Sequence, residues 1–172
     1  MEDFDLILND DTEEISGEFY AQVILTTLSL TPLFADSWLA QGMVEALKRA
    51  AADAPGSLWG FVVLPESVRL VVGPTDDDRL ETFVSQIKAQ TEAHLLDLIR
   101  QIEDDSLDAV LRYNPMWGGV NYQVWQAGYH RKTFWTEYKL SNAIYELSQA
   151  PVDMGLVEVA EAWPYIYVGD EE

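Results

Sequence analysis

The segment that decides the fold reads Leu-Pro-Glu-Ser-Val-Arg-Leu-Val-Val over residues 64–72. Its apolar, β-branched end after a proline-containing turn predicts a strand that begins near Ser67. Successive side chains of a strand point to opposite faces of a sheet. The even-numbered residues of Val68–Val72 therefore share an apolar face, whereas Ser67 and Arg69 share the other. We expect the apolar set to pack against helices and the polar pair to lie on the opposite surface.

The segments around this strand predict a small mixed fold. Apolar and β-branched runs predict strands over residues 19–28, 57–63, 67–73 and 129–135. Amphipathic periodicity and capping residues predict helices over residues 37–52, 79–102 and 137–149. The order strand, helix, strand, strand, helix, strand is ferredoxin-like. We therefore predict an α+β fold with an antiparallel sheet of about four strands and helices packed on one face.

Length and composition favour one domain. The chain has 172 residues, 48% apolar content and 6 Trp, which suits a single core. We assign residues 1–17 to an acidic N-terminal arm of a composition typical of disorder, 18–168 to the folded domain and 169–172 to an acidic tail. The chain contains no cysteine, which excludes disulfides and thiolate metal sites and fits the cytoplasm. No apolar run approaches the roughly 20 residues of a membrane helix, so we expect no membrane partner.

The charge of the chain bears on its partners. Acidic residues number 30 against 10 basic residues, a formal net charge of −20. With 1–18 and 170–172 set aside, residues 19–169 hold 19 acidic residues against the same 10 basic residues, a net charge of −9. Nucleic-acid binding depends on Lys and Arg that neutralise phosphates. We therefore expect a protein partner rather than nucleic acid.

Several segments together resemble a known family. Phe-Tyr-Ala-Gln-Val-Ile-Leu-Thr at 19–26 is similar to the opening strand of the REP-associated tyrosine transposases, which are single-tyrosine enzymes of the HUH type. Val-Trp-Gln-Ala-Gly-Tyr-His at 124–130 resembles their Trp-Gln-x-Gly-Tyr-His segment. Ala-Pro-Val-Asp-Met-Gly-Leu-Val at 150–157, with Trp163-Pro164 behind it, resembles their Asn-Pro-Val-x-x-Gly-Leu-Val and Trp-Pro ending. The resemblance covers most of the chain beyond its acidic ends.

The resemblance has a consequence for metal binding. The family's strand equivalent to residues 64–72 reads Pro-Asp/Glu-His-hydrophobic-His, so Ser67 and Arg69 occupy the two histidine positions that would hold Mg²⁺ or Mn²⁺. A serine hydroxyl is a poor ligand, and an arginine carries a permanent positive charge that repels a cation. We therefore expect no metal cofactor and interpret the chain as a degenerate, catalytically inactive relative.

The family's nucleophile is also displaced. The resemblance implies a catalytic Tyr five residues before the Pro of Asn-Pro-Val and a polar helper four residues after that Tyr. Counting back from Pro151 places Glu146 in the nucleophile's position and Ala150 in the helper's. Tyr145 and Gln149 keep the same spacing one residue earlier, and i, i+4 places them on one side of a helix. A one-residue insertion before Pro151 would preserve this pair, so an active enzyme that uses Tyr145 is an open alternative.

Other candidate residues form no clear site. His94 lies beside the apolar track of the long helix and is expected to pack there, whereas His130 flanks the strand with Ser67 and Arg69 in the expected fold. Three carboxylates have some capacity to bind Mg²⁺ or to act as acid and base; they are Glu66, Asp153 and Glu158. Their spacing in the sequence does not indicate that any two of them form a pair.

Three functions are compatible with the sequence. The preferred one is an inactive transposase relative that acts by binding, with a protein as the favoured partner. The second is an active single-strand DNA transposase or nuclease that uses Tyr145. The third is an acidic nucleic-acid mimic that binds a basic partner. Eight aromatic residues between Tyr113 and Tyr138 have the chemistry to stack bases, but packing over the sheet or a protein-binding patch is favoured because no basic track accompanies them.

Overall fold

The computed structural model describes residues 4–7, 17–53, 58–102, 112–113 and 121–169. The strands of its main sheet are Asp5–Ile7 (β1), Phe19–Thr26 (β2), Leu58–Leu64 (β3), Ser67–Thr75 (β4), Tyr129–Phe134 (β7) and Ile166–Val168 (β8). A separate two-stranded ribbon pairs Arg112–Tyr113 (β5) with Asn121–Tyr122 (β6). The helices are Ser37–Asp53 (α1), Asp77–Ile102 (α2) and Glu137–Asp153 (α3).

The main sheet is antiparallel throughout, with the strand order β1-β7-β2-β4-β3-β8. Its four central strands have the predicted ferredoxin-like arrangement, and the α+β class is confirmed. The sheet is wider than the prediction because β1 pairs with β7 at one edge and β8 pairs with β3 at the other. Each edge strand has three residues, which is too short for alternation to reveal it in the sequence. Residues 5–7 lie within the segment predicted as an acidic arm.

The register of β4 is the predicted one. Val68, Leu70 and Val72 lie opposite Leu25, Val23 and Ala21 of β2, and all six are buried. They belong to a core that also includes side chains of α1 and α2, among them Leu39, Met43, Leu47, Leu80, Phe83 and Ile87. The helices predicted at 37–52 and 79–102 therefore cover this face of the sheet.

Helix α3 covers the opposite face, so the sheet carries helices on both faces rather than on one. The strand residues that it contacts are apolar on that side as well, because β3 is buried almost throughout. This second core contains Val62, Leu64, Val71 and Phe134 of the sheet and Leu140, Ala143, Leu147 and Ala150 of α3. Gly60 of β3 allows the close approach, since a Cβ there would lie 3.1 Å from Leu147 Cδ2 and 2.7 Å from the Tyr167 carbonyl oxygen.

Hydrogen bonds to α2 fix the segment that leads into β7. Trp125 Nε1 donates to Thr91 Oγ1 at 3.1 Å, and the Val124 amide donates to Glu92 Oε2 at 2.8 Å. Lys88 Nζ donates to the carbonyl oxygens of Gln126 and Gly128 at 2.8 and 2.9 Å. Burial lowers the pKa of the Lys88 ammonium. These bonds place the start of β7 and so determine which of its side chains face α3.

Strand β7 presents basic side chains to both faces of the sheet. Arg131 points toward α2, where its Nη1 pairs with Asp77 Oδ1 at 2.6 Å and its guanidinium lies 5.5 Å from the centre of the Phe19 ring. The neighbouring residues His130 and Lys132 point toward α3 because strand side chains alternate. The buried ion pair joins the first turn of α2 to the sheet.

The contact between α1 and α2 is close at Gly42. A Cβ at this position would collide with Leu98 Cδ1, so glycine allows the two helices to approach. His94 lies in this contact, half-buried and near Gly42, as the sequence predicts for a packed histidine. Within the described ranges, no helix is both long and apolar enough to cross a membrane.

Candidate functional site

The face of the sheet under α3, here called the α3 face, carries a row of side chains across four strands. His130 of β7 lies opposite Ile24 of β2, Ile24 lies opposite Arg69 of β4, and Arg69 lies opposite Val62 of β3. Paired residues of an antiparallel sheet point to the same face, and adjacent strands are about 4.8 Å apart. The backbones of His130 and Arg69 are therefore about 10 Å apart.

Ser67 and Arg69 share this face, as predicted. Ser67 lies opposite Thr26 of β2 and Leu64 of β3, and both Ser67 and Arg69 are half-buried. The Nε atom of Arg69 is fully buried. A permanent cation thus lies beneath the helix at one of the two positions that the resemblance assigns to metal ligands.

The residues on this face do not fit a divalent cation. Ser67 supplies only a hydroxyl, and Arg69 repels a cation. Ala150, in the helper's position, has an apolar side chain that is buried against the sheet. In the part of the chain that the structure describes, no group of three or more His, Cys, Asp or Glu side chains is arranged to hold a metal ion. These side chains therefore do not form a fitting site for Mg²⁺ or Mn²⁺.

The two candidate nucleophile positions, Tyr145 and Glu146, lie on different sides of α3. Tyr145 lies on the side of α3 away from the buried Leu147 and Ala150, and 65% of its surface is exposed. Gln149 shares that side and is half-buried. Glu146 instead lies on the flank of the helix and lines a cavity beside the sheet. Both side chains are exposed to solvent, but only Glu146 also borders the cavity beside the sheet.

This cavity lies between α3, β7 and β2 and has a volume of about 180 Å³. Charged and amide side chains line it together with apolar ones; they are Gln22, Lys132, Thr133, Phe134, Lys139, Asn142, Ala143 and Glu146. Gln22 and Lys132 are cross-strand neighbours. Lys139, Asn142 and Glu146 follow each other along one flank of α3, at i, i+3 and i+7.

Gln22 is the most unusual residue of the cavity. Its side chain is 1% exposed, and neither Oε1 nor Nε2 has a hydrogen-bond partner among the residues that are described. A buried amide without partners costs free energy, and native proteins rarely keep one without a reason. The sequence interpretation missed Gln22 because it stands in an apolar run, yet a single amide between Ala21 and Val23 was a readable signal.

The remaining sequence candidates lie apart from one another. His130 is half-buried on the α3 face but does not flank the strand of Ser67 and Arg69 as expected, because β2 lies between β7 and β4. His94 lies between α1 and α2. Glu66 is exposed in the turn between β3 and β4, and Asp153 and Glu158 are exposed at and beyond the end of α3. The structure does not gather these carboxylates into one site.

Comparisons with known proteins agree with this fold. A solved structure of a REP-associated tyrosine transposase bound to a REP hairpin matches with a TM-score of 0.61, covers 93% of this chain and 82% of that chain, and is 15% identical. This chain has the transposase fold. A candidate transposase from Deinococcus radiodurans matches with a TM-score of 0.51, covers 79% of this chain and 94% of that chain, and is 18% identical. No family model matches the sequence, and no curated protein matches it. At these identities, the likeness to the transposases is one of fold.

Proposed function

We propose that this chain is a transposase-like protein that does not cleave DNA and acts by binding a partner. The observation that carries the proposal is that Ser67 and Arg69 lie together on the α3 face. These are the two positions that the family resemblance assigns to metal-binding histidines. A tyrosine needs an electrophile activated by a metal or by clustered cations before it attacks a phosphodiester. Without metal ligands, Tyr145 has no metal-activated phosphate to attack, and its exposed side chain lies on the side of α3 that faces away from Arg69 and the sheet.

The exposed aromatic side chains around α3 support a protein as the partner. Trp135 is 56% exposed, Tyr138 is 77% exposed and Tyr145 is 65% exposed. Tyr138 and Tyr145 are seven residues apart and therefore share one side of the helix. Trp and Tyr are the usual anchors of protein interfaces. We propose that this outer side of α3, together with Trp135, contacts the partner.

The charge of the protein supports the same choice. A net charge of −20 opposes the approach of a polyanion. It also favours the acidic-mimic alternative, in which the protein occupies a basic, nucleic-acid-binding partner. The two partner types differ in salt dependence, because an interface of opposite charges weakens as salt rises and an aromatic interface does not.

A covalent-capture assay tests the absence of cleavage. The full chain is incubated with single-stranded DNA hairpins and Mn²⁺, and protein–DNA adducts are separated under denaturing conditions. We expect no adduct. Tyr145→Phe and the matched control Tyr138→Phe are run in parallel, since both tyrosines are exposed on the same helix. An adduct that disappears in Tyr145→Phe and persists in Tyr138→Phe would establish the active-enzyme alternative.

A gel-shift series tests the absence of DNA binding. Hairpins are titrated with the full chain and with a variant that lacks residues 1–17, from low to physiological salt. We expect no sub-micromolar binding by either protein at physiological salt, because residues 19–169 alone carry a net charge of −9. Salt-sensitive, sub-micromolar binding by either one would return the protein to the DNA-handling class.

A further inference from the structure

The outer edge of β8 has the chemistry to hold a further strand. β8 is the last strand in the order of the main sheet and pairs with β3 on one side only, within the residues that the structure describes. We propose that this edge binds an extended peptide segment of a partner protein, with an aromatic side chain at the centre of the segment and basic residues before it. The inference goes beyond the proposed function, because the β8 edge is separate from the outer side of α3.

The backbone hydrogen bonds of β8 alternate between its two sides. The Val63 amide donates to the Tyr165 carbonyl oxygen, and the Gly169 amide donates to a β3 carbonyl oxygen, both at 2.8 Å. In an antiparallel strand, the residues between such hydrogen-bonded pairs point their N–H and C=O groups to the other side. The backbone groups of Ile166 and Val168 therefore face away from β3. They have no hydrogen-bond partner elsewhere in the described ranges.

An extended peptide backbone matches these outward groups. Ile166 and Val168 each present one N–H and one C=O, about 7 Å apart along the strand. A segment that aligns antiparallel to β8 would bond to all of them through the residues before and after the one opposite Tyr167. Strand addition of this kind draws affinity from main-chain hydrogen bonds and specificity from a pocket for alternate side chains. Tyr167 is 38% exposed and Val168 is 45% exposed, so a partner can reach this edge.

A groove on the α1 side of β8 selects the central side chain of the segment. It has a volume of about 420 Å³ and is mostly apolar; its lining residues are Lys48, Ala51, Ala52, Leu58, Phe61 and Tyr167. The Tyr167 ring stacks on Phe61 with ring centres 5.5 Å apart, and the partner residue opposite Tyr167 points to this same face. Lys48 Nζ lies 5.5 Å from the centre of the Tyr167 ring. An aromatic side chain would pack beside Tyr167 and make a second cation–π contact with Lys48.

The charge beside the edge favours basic residues in the partner. Asp170, Glu171 and Glu172 follow Gly169 directly in the sequence, and covalent geometry keeps them within about 11 Å of it. An antiparallel segment carries the residues before its central aromatic past this end of β8. Lys or Arg at those positions complements the three carboxylates. The net charge of −20 disfavours a second copy of this chain as the occupant, because like charges repel.

Fluorescence anisotropy with a labelled peptide tests the proposal on the full chain. The probe is acetyl-Lys-Arg-Thr-Val-Phe-Val-Thr-amide, and we expect a dissociation constant of about 100 μM or lower. N-methylation of both valines removes the amides that face β8 and should weaken binding at least about tenfold, whereas N-methylation of the phenylalanine, whose amide faces away, should change it less than about threefold. No binding at about 1 mM, or equal effects of the two methylations, would overturn the proposal.

Two further peptides test the selectivity of the edge. Exchange of the phenylalanine for serine removes the group that fills the groove, and exchange of the basic pair for Glu-Asp reverses the charge beside the acidic residues. Each exchange should weaken binding at least about tenfold at low salt. Undiminished binding of either peptide would overturn the corresponding part of the proposal.

Variants of the chain assign the binding to the β8 edge. Val168→Pro removes an outward N–H and keeps the hydrogen bonds to β3, because an edge strand tolerates proline where its nitrogen faces outward. Ala52→Trp fills the groove from an exposed position on α1. Each should weaken binding about tenfold or more, whereas the control Ala127→Trp, at an exposed position before β7, should leave it unchanged.

Circular dichroism and urea denaturation establish that the three variants are folded before the affinities are compared. Equal affinity of Val168→Pro, Ala52→Trp and the original chain would overturn the assignment to this edge. Sedimentation velocity gives a separate check of the occupant. A dimer of the original chain that Val168→Pro dissociates would replace the partner peptide by a second copy and overturn the proposal.

Discussion

Two buried polar residues on neighbouring strands, Arg131 of β7 and Gln22 of β2, show a contrast between the two faces of the sheet. On the face covered by α1 and α2, Arg131 is paired with Asp77, and Trp125 donates to Thr91. On the α3 face, the buried amide of Gln22 has no partner among the described residues. The first face has its own exceptions on α2, where the Oε1 atom of Gln86 and the Nε2 atom of His94 are also buried without a hydrogen bond.

This difference separates polar groups that the fold itself satisfies from one that it does not satisfy. Polar groups that pair with each other under α1 and α2 hold elements together, so the fold itself accounts for them. Gln22 under α3 makes no such pair, and a buried polar group without a partner in a native protein requires an explanation, such as a water or a ligand that supplies the missing partner. The α3 face is therefore the part of the molecule to probe for activity.

Removal of Arg131 should have the largest effect on stability. Arg131→Met leaves the Asp77 carboxylate, whose side chain is only 15% exposed, without this cation. We expect the free energy of unfolding to fall by about 3 kcal/mol, because breaking a buried ion pair from one side is costly. The matched change Lys132→Met, at the next residue and on the α3 face, should cost less than about 1 kcal/mol. Urea denaturation measures both, and equal losses would contradict the contrast between the faces.

Polar-to-apolar changes on the two faces should have opposite signs. Thr91→Val removes the acceptor of the buried Trp125 Nε1 and should lower the free energy of unfolding by about 1–2 kcal/mol. Gln22→Leu removes an amide without partners and should raise it by about 1 kcal/mol in ligand-free buffer. Urea denaturation of the two variants compares them directly. A loss in Gln22→Leu as large as that in Thr91→Val would mean that the amide is satisfied in solution.

A smaller effect should appear at alkaline pH on the α1 and α2 side. Burial raises the pKa of the Tyr129 phenol above its ordinary value of 10.0. The unfolded chain therefore ionises first, and the contribution of this residue is kept below pH 10 and lost as pH rises from 10 toward the folded pKa. Tyr129→Phe should lose less stability than the original chain over that interval. The free energy of unfolding of both proteins is measured in denaturant from about pH 9 to about pH 11, around the unfolded-state pKa of about 10. Parallel losses of stability in the two proteins would contradict the raised pKa.

Alternation and periodicity predicted the central fold. The register of Val68, Leu70 and Val72 and the positions of α1 and α2 follow from local sequence, because a half-buried strand and an amphipathic helix each repeat with a fixed period. The opposite placement of α3 does not follow from its own sequence. An apolar stripe shows that a helix packs on something, while the face it packs on depends on the apolar content of both sides of β3.

The candidate site was predicted only in part. The family resemblance identified Ser67, Arg69 and Glu146, which the structure places on or beside the α3 face. Lys139 and Gln22 were missed, since an exposed helix lysine and an amide inside a strand have no motif of their own. Their proximity depends on strands that are distant in sequence and become neighbours only in the folded sheet.

Manganese titration tests the central claim, that the α3 face lacks a metal site, most directly. Calorimetric titration of Mn²⁺ into the original chain should give no binding at that face at concentrations up to about 1 mM. The double variant Ser67→His with Arg69→His restores two neutral imidazoles on one strand face and should bind Mn²⁺. Tight Mn²⁺ binding by the original chain that Glu146→Gln or Gln149→Ala abolishes, with Asp153→Asn as the unaffected control, would contradict the account.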